Sequence, residues 1–296
     1  MSAPDTRNER LRKLTRWLAR GDVRRAQETL DADAARAARG APPAEPVLAE
    51  PLTLERACPG RVADGAFGTY WHIERALADV SAAEVPVGRE YAHVMSGARQ
   101  RFDELSASPE LCHVSIAGPG DLLFMDTETC GFAGSVVFLV GLMSFRDGGL
   151  VFDQLFARDY AEERAVLGEF SERIAAASVL VTFNGKAFDM NMIRDRSVFL
   201  GLPRPDREPP HLDLLHEARR RWRRDLPNCK LQTLEAFLCG RHRTGDIPGE
   251  AIPDAYHDFV ASGDARRLRD ILHHNLLDLL TMAQLVSHLL TGHQPE

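Results

Sequence analysis

The segment LLFMDTETCG, residues 122–131, restricts the fold of this chain more than any other. An apolar run is followed at once by Asp126 and Glu128, and alternate residues of a β-strand point to the same face. The pattern therefore predicts a buried strand that ends in two carboxylates on one face. Hard oxygen ligands of this kind suit Mg²⁺ or Mn²⁺. Taken alone, the Asp-x-Glu pair is also compatible with a solvated strand end.

The segments around this strand predict the fold class. Apolar runs at residues 121–129, 135–145 and 150–157 are separated by Gly-rich turns, which is typical of an antiparallel meander. A helical stretch, residues 162–177, then leads to the strand SVLVTFNG, and a helix crossover implies parallel pairing. The chain after Pro203 is mainly helical in pattern. We expect an α/β fold with a mixed sheet, an antiparallel meander plus parallel strands, flanked by helices.

The chain of 296 residues divides by composition into three parts. Residues 1–51 combine a helical segment, with a leucine spacing at Leu11, Leu14 and Leu18, and the Pro-rich linker GAPPAEPVLAEP. Residues 52–120 form a small lead-in region of strands and helix, with a helix expected over residues 91–105. Residues 121–290 form the main domain and carry all of the motifs that indicate chemistry.

Composition excludes several classes of protein. Hydrophobic residues make up 44% and charged residues 27%, as in ordinary globular proteins. The five cysteines are scattered without a CxxC pair, which disfavours a disulfide framework and a zinc site. No signal peptide or bilayer-spanning stretch is visible, so we expect a soluble, cytoplasmic protein with no membrane partner. The net charge of −7 does not favour nucleic acid, but carboxylates that hold metal do not repel a phosphate backbone.

A second acidic motif, FNGKAFD, places Asp189 just after a strand, a turn and the start of a helix. Because the carboxyl ends of neighbouring parallel strands meet at one edge of a sheet, Asp189 is expected near Asp126 and Glu128. The alternative role for Asp189 is that of a helix cap or first-turn acid. Asn184 and Lys186 either shape the turn or contact a phosphate.

A third motif, HHNLLD, lies on the last predicted helix and ends at Asp278. His274 and Asp278 are four residues apart and share a helical face, whereas His273 diverges from it. A histidine one turn from a metal-binding Asp is suited to accept a proton from an attacking water. Spacing alone does not choose between the two histidines, and an interhelical hydrogen bond is the alternative role of His274.

Six motifs together resemble the YprB-type ribonuclease H-like exonuclease family, within the DEDD superfamily of 3′ to 5′ exonucleases. The resemblance covers about residues 52–290 and rests on DTETCGFAG with FLVG, FNGKAFD, DLLHEARRRW, LPNCKLQTLE, DIPGEAIPDAY and HHNLLDLL. It implies a ribonuclease H-like fold and a two-metal site in which two Mg²⁺ or Mn²⁺ ions are held by Asp126, Glu128, Asp189 and Asp278. His274 would be the general base, where some relatives have Tyr. Cys130 stands where such proteins commonly have Thr, and no reactive thiol is expected there.

The activity that this resemblance implies is 3′ to 5′ exonucleolytic hydrolysis of single-stranded DNA or RNA, with no nucleotide cofactor. Two alternatives remain: a ribonuclease H-type endonuclease, and a catalytically silent module that binds nucleic acid. In the endonuclease type the first strand gives one acid and a helix supplies the Glu, so the Asp-x-Glu pair argues against it.

Candidate contacts to nucleic acid have a weaker basis in the sequence. Arginines surround Trp222, a composition that favours a phosphate backbone or a stacked base, and a solvated helix face over a buried Trp222 is the alternative. Phe132 would lie against the terminal base or be buried. Asp213 and Asp246 are interpreted as strand-end and turn residues without a metal role. The predicted nucleic-acid contacts are Phe132, Asn184, Lys186, Arg220 and Arg223.

Overall fold

The predicted meander and its parallel neighbour form the centre of a mixed sheet. The structure, a computed structural model, describes residues 50–98, 108–131 and 134–293. The strands are β1 Arg61–Gly65, β2 Gly68–Ala76, β3 Leu122–Thr129, β4 Val137–Arg146, β5 Gly149–Phe156, β6 Val179–Thr182 and β7 His211–Asp213. The helices are α1 Leu54–Ala57, α2 Leu77–Val80, α3 Val85–Ser96, α4 Pro109–Ser115, α5 Glu163–Ala176, α6 Asp189–Phe199, α7 Leu214–Trp222, α8 Leu231–Leu238, α9 Ile252–Ser262 and α10 Leu268–Thr291, with 3-10 turns at Ala82–Glu84, Pro119–Asp121, Tyr160–Glu162 and Gly249–Ala251.

The strand order of the sheet is β1-β2-β5-β4-β3-β6-β7. β3, β4 and β5 pair antiparallel, while β6 pairs parallel with β3 and β7 pairs parallel with β6. The predicted fold class is confirmed. β7 was predicted only through the interpretation of Asp213 as a strand end, because three residues are too few to show a strand periodicity.

The sheet extends into the predicted lead-in region, since β2 pairs antiparallel with β5 and β1 pairs with β2. A compact unit begins at Pro51, and residues 1–49 lie outside the described residues, so the predicted three-part division stays a prediction. The helix expected over residues 91–105 overlaps α3 over residues 91–96. α3 begins at Val85 and ends at Ser96, with Gly97 as its C-cap, and residues 99–107 lie outside the described part of the chain.

Two apolar clusters cover the two faces of the sheet. One contains Phe138, Phe170 and Tyr256, and the other contains Phe124, Phe152 and Trp222. Helix α10 contributes to both, its first turn to one cluster and its residues from Leu276 onward to the other. The helix therefore runs past the sheet near β3 and β4, which brings its polar residues to the end of β3. In the described part of the chain, no helix has the length and apolar character needed to cross a membrane.

Candidate metal centre

The end of β3 carries the first two candidate ligands. The pairing of β3 with β4 shifts register directly after Glu128, and such bulges re-aim side chains at the ends of strands. Burial raises the pKa of Asp126 well above its ordinary value, and the nearby charges of Asp278 and Asp189 raise it further. The pKa of Glu128 is raised in the same way, by burial and then by the charge of Asp126. The two carboxylates therefore share a site with the other predicted acids.

Asp189 begins α6 and lies beside β3. The hydroxyl of Thr127 donates a hydrogen bond to Asp189 Oδ1. Burial raises the pKa of Asp189, and the Thr127 hydrogen bond offsets only part of that increase. The turn before Asp189 is held by Asp213, whose carboxylate accepts the backbone N–H groups of Asn184 at 2.8 Å and Lys186 at 3.1 Å. Asp213 is also the last residue of β7, which is the strand-end position given by the sequence interpretation.

Asp278 and the two histidines lie on α10. His273 is exposed, whereas His274 is buried and its Nε2 lies 3.6 Å from Asp278 Oδ2. The structure therefore turns His274, as the family resemblance implied, toward the predicted ligands. His274 Nδ1 lies 2.9 Å from both carboxylate oxygens of Asp246. Asp246, which sequence interpretation confined to a turn, fixes the orientation of this imidazole ring.

A buried arginine, Arg243, also reaches this site and was missed by the sequence analysis. Its Nη2 lies 2.5 Å from Asp278 Oδ1, and its Nη1 lies 3.2 Å from Asp246 Oδ2. The same guanidinium is paired with Glu235 at 2.6 Å. Burial raises the pKa of Asp278, and the Arg243 charge lowers it, with a net pKa above the ordinary value. No sequence pattern marks Arg243, because it lies in a loop between helices.

Asn275 links α10 to three strands of the sheet. Its Nδ2 donates to Asp126 Oδ2 at 2.9 Å, and its Oδ1 accepts from Gln154 Nε2 at 3.0 Å. Gly141 lies between the two in the strand register, and a Cβ there would be 2.0 Å from Asn275 Oδ1. Asn275 therefore orients the Asp126 carboxylate through a gap that only glycine leaves. Its position three residues before Asp278, on the same helical face, was a signal that the sequence contained.

The donor set fits a divalent cation. Burial raises the pKa of all four predicted ligands, and repulsion by the other ligands raises those of Asp126 and Glu128 further. A bound cation would relieve that repulsion, and carboxylate oxygens are the ligands that Mg²⁺ and Mn²⁺ prefer. In the described part of the chain, no three of these ligands offer atoms within 4.8 Å of one another. Arg243 lies against one oxygen of Asp278.

A search of protein families matches residues 123–290 to the profile of the RNase H superfamily. The chain belongs to the RNase H superfamily. The match spans β3 to α10, and hence every element that carries a predicted ligand. The predicted assignment to YprB-type ribonuclease H-like proteins is confirmed.

Two relatives illustrate the extent of the similarity. YprB of Bacillus subtilis (strain 168) is 33% identical over 177 residues, which cover 57% of this chain and 42% of that protein. The chain thus spans less than half the length of that relative. The family B DNA polymerase from the hyperthermophilic archaeon Pyrobaculum calidifontis is 18% identical, with a TM-score of 0.44 over 55% of this chain and 24% of that one.

The predicted nucleic-acid contacts fall in two places. Asn184 and Lys186 lie at the β6 to α6 turn beside Asp189, and Lys186 Nζ is 3.7 Å from Glu110. Arg220 and Arg223 are exposed on and after the last turn of α7. Phe132 lies outside the described residues.

The position of Trp222 shows where the arginines around it lie. It is fully buried and its Nε1 donates to His293 O at 3.1 Å, so the alternative of a core tryptophan is correct. His293 lies just after the end of α10, fifteen residues after Asp278. At a rise of about 1.5 Å per helical residue, this end of α7 is therefore roughly 20 Å from the Asp278 carboxylate.

A cavity next to Asp189 was not predicted. Thr127, Thr129, Gly131, Phe188 and Asp189 contribute to its walls. Phe188 is 64% exposed, an unusual state for a large aromatic residue, and its ring borders the cavity. Nearby, burial raises the pKa of the Cys130 thiol to about 12, which agrees with the expectation that this thiol is unreactive.

Proposed function

We propose that this protein is a metal-dependent 3′ to 5′ exonuclease that acts on single-stranded nucleic acid. The observation that carries the proposal is the convergence of Asp126, Glu128, Asp189 and Asp278, from β3, α6 and α10, with the buried imidazole of His274. Strongly perturbed carboxylates that lie close together are typical of catalytic centres.

In the proposed mechanism the four carboxylates hold two Mg²⁺ or Mn²⁺ ions. When bound, such ions polarise the scissile phosphate, lower the pKa of a water and stabilise the leaving oxygen. His274, whose ring Asp246 orients, accepts a proton from the attacking water. Water adds to phosphorus and the P–O3′ bond breaks. A nucleoside 5′-monophosphate leaves, and the O3′ of the shortened strand takes a proton from solvent to become a 3′ hydroxyl.

The cavity beside Asp189 supports a single-stranded end as substrate. An exposed aromatic ring such as Phe188 stacks on an unpaired base, an interaction worth about 1–3 kcal/mol that every base can make. Asn184, Lys186 and Phe132 would contact the terminal nucleotides. Arg220 and Arg223, roughly 20 Å from Asp278, would contact phosphates several nucleotides away, as an extended strand reaches that far.

The test is hydrolysis of 3′- and 5′-labelled single- and double-stranded DNA and RNA by the purified protein, with Mg²⁺, Mn²⁺ or EDTA. We expect mononucleotides from the 3′ end of single strands, only with metal. A circular single strand should stay uncut, and its cleavage would instead support the endonuclease. Absence of metal-dependent hydrolysis on every substrate, in a sample shown to be folded, would favour the silent binding module.

A further inference from the structure

Arg243 is a buried cation in contact with the metal centre, and the proposed mechanism gives it no task. Its side chain is 7% exposed, less than that of Asp278 at 15%. It forms ion pairs with three carboxylates, those of Asp278 at 2.5 Å, Glu235 at 2.6 Å and Asp246 at 3.2 Å. Arg243 thus places a fixed positive charge beside a site whose predicted ligands are all acids.

Glu235 holds Arg243 in place, because its carboxylate lies between two guanidinium groups. Glu235 is 1% exposed and pairs with Arg243 on one side and with Arg241 on the other, at 3.3 Å. Burial lowers the pKa of the Arg243 guanidinium, but the charge of Asp278 and the hydrogen bond with Glu235 outweigh that effect, so it remains charged. Replacing one partner of such a buried group leaves the other charge uncompensated.

A divalent cation at Asp278 would lie within a few ångströms of this guanidinium. Like charges a few ångströms apart repel strongly in a partly buried site, and the double charge of a divalent cation doubles that repulsion. One of the two oxygens of Asp278 is also already used by Arg243 Nη2. Metal binding at Asp278 therefore has to displace Arg243 or accept its repulsion.

We propose that Arg243 is a counter-ion of the metal centre, which holds Asp278 while no metal is bound and competes with metal for that carboxylate. This inference rests on the proposed function, because it assumes that Asp278 is a metal ligand. It predicts that the two metal ions bind unequally, and that the one using Asp278 binds more weakly. The protein would then stay folded without metal and acquire its full metal content only at higher metal concentration.

The experiment measures Mn²⁺ binding to the full chain, by the electron paramagnetic resonance signal of free Mn²⁺ and by calorimetry. The main variant is the double substitution R243Q/E235Q, which removes one charge of each sign and keeps the net charge of the protein. We expect the weaker Mn²⁺ site to tighten by about tenfold or more, because the repulsion at Asp278 is gone. The matched control is R173Q/E169Q, another Arg–Glu pair, at 2.7 Å on α5, which should leave Mn²⁺ affinity unchanged.

A second variant, E235Q alone, should shift the affinity in the opposite direction. Without the Glu235 charge, Arg243 is free to pair more strongly with Asp278, so the weaker Mn²⁺ site should weaken by about threefold or more. Circular dichroism would show whether the double variant folds. If it does not, E235Q still tests the inference.

The outcomes separate the two proposals. Unchanged Mn²⁺ affinity in E235Q, or in a folded R243Q/E235Q, would overturn the role of Arg243 and leave the exonuclease proposal intact. Failure of the folded wild-type protein and of the variants to bind Mn²⁺ at all would overturn the metal centre itself, and with it the proposed function.

Discussion

Two charged clusters in this protein contain acids whose pKa values are shifted in opposite directions. In the first, Asp153 on β5 is in contact with His72 at 2.7 Å, Arg146 at 2.7 Å and Arg173 at 3.3 Å. In the second, the carboxylates at the end of β3 face one another, with Arg243 as the nearby guanidinium. His72, Glu74 and Asp153 bring their potential ligand atoms within 4.8 Å of one another, which the predicted metal ligands do not.

The pKa values of these clusters separate a structural ion-pair network from a candidate catalytic site. Burial alone would raise the pKa of Asp153, but the hydrogen bonds from His72 and Arg146 outweigh it and the pKa falls below its ordinary range. At the end of β3, burial and mutual repulsion act in the same direction and the pKa of Asp126 rises. Closely spaced ligand atoms are therefore a poor guide here, because two arginines already neutralise Asp153. Surplus negative charge is the better indicator of a cation site.

The largest expected effect comes from removing one charge at the end of β3. D126N should lower hydrolysis by about three orders of magnitude, since loss of a metal ligand removes several kcal/mol of transition-state stabilisation. In EDTA the same variant should be at least as stable as the wild type, because one repulsive charge is gone. Rates on a labelled single strand and urea unfolding measure the two effects, and retention of the wild-type rate would remove Asp126 from the mechanism.

The link between Asn275 and Asp126 is tested by filling the space at Gly141. G141A should lower the free energy of unfolding by about 2 kcal/mol, because overpacking forces Asn275 away. It should also weaken Mn²⁺ binding by about tenfold, as the loss of groups that orient ligands typically does. G149A is the control, since a Cβ at Gly149 meets no atom within 4 Å. Equal Mn²⁺ affinity in G141A and G149A would contradict a positioning role for Asn275.

The Asp153 cluster should respond to substitution in stability alone. D153N should lower the free energy of unfolding by about 2 kcal/mol, a value reduced because Arg146 and Arg173 are partly exposed. Its rate of hydrolysis and its Mn²⁺ affinity should match those of the wild type. A loss of Mn²⁺ binding in folded D153N would mean that the His72 cluster, and not only the end of β3, holds metal.

The two clusters should also differ in their dependence on pH. Because the pKa of Asp126 is raised on folding, its stabilising contribution is full below about pH 4 and is lost as pH rises through the folded pKa. In EDTA, wild-type stability relative to D126N should thus fall as the pH rises from about 5 to about 8.

The contribution of Asp153 to stability changes with pH in the opposite direction, because the pKa of Asp153 is lowered on folding. Its contribution is present above about pH 4 and is lost only as pH falls through the folded pKa, so the D153N deficit should be constant from about pH 5 to 8 and shrink in acid. Urea unfolding at several pH values measures both trends, and parallel curves for D126N and D153N would contradict the contrast.

Much of the candidate site was predictable because it depends on local periodicity. Asp126 and Glu128 share a face of one strand, and His274 and Asp278 share a face of one helix, so spacing alone places each pair. The junction of β6 and α6 likewise placed Asp189 at the end of a parallel strand. Long-range contacts were not predictable in this way. Asn275 is 149 residues from Asp126 and 121 from Gln154, and Arg243 is 35 residues from Asp278.

The sequence by itself determined the strand and helix pattern, the mixed sheet and the identity of the candidate ligands, since each follows from side-chain period or from a motif within a few residues. Spacing left the choice between His273 and His274 open, and the tertiary structure shows that His274 lies toward Asp278. The tertiary structure alone decided which residues orient the ligands and which charge opposes a metal. Those choices depend on where α10 and the loop of Arg243 pack against the end of β3. Packing of this kind is set by the whole core on both faces of the sheet, and no local segment encodes it.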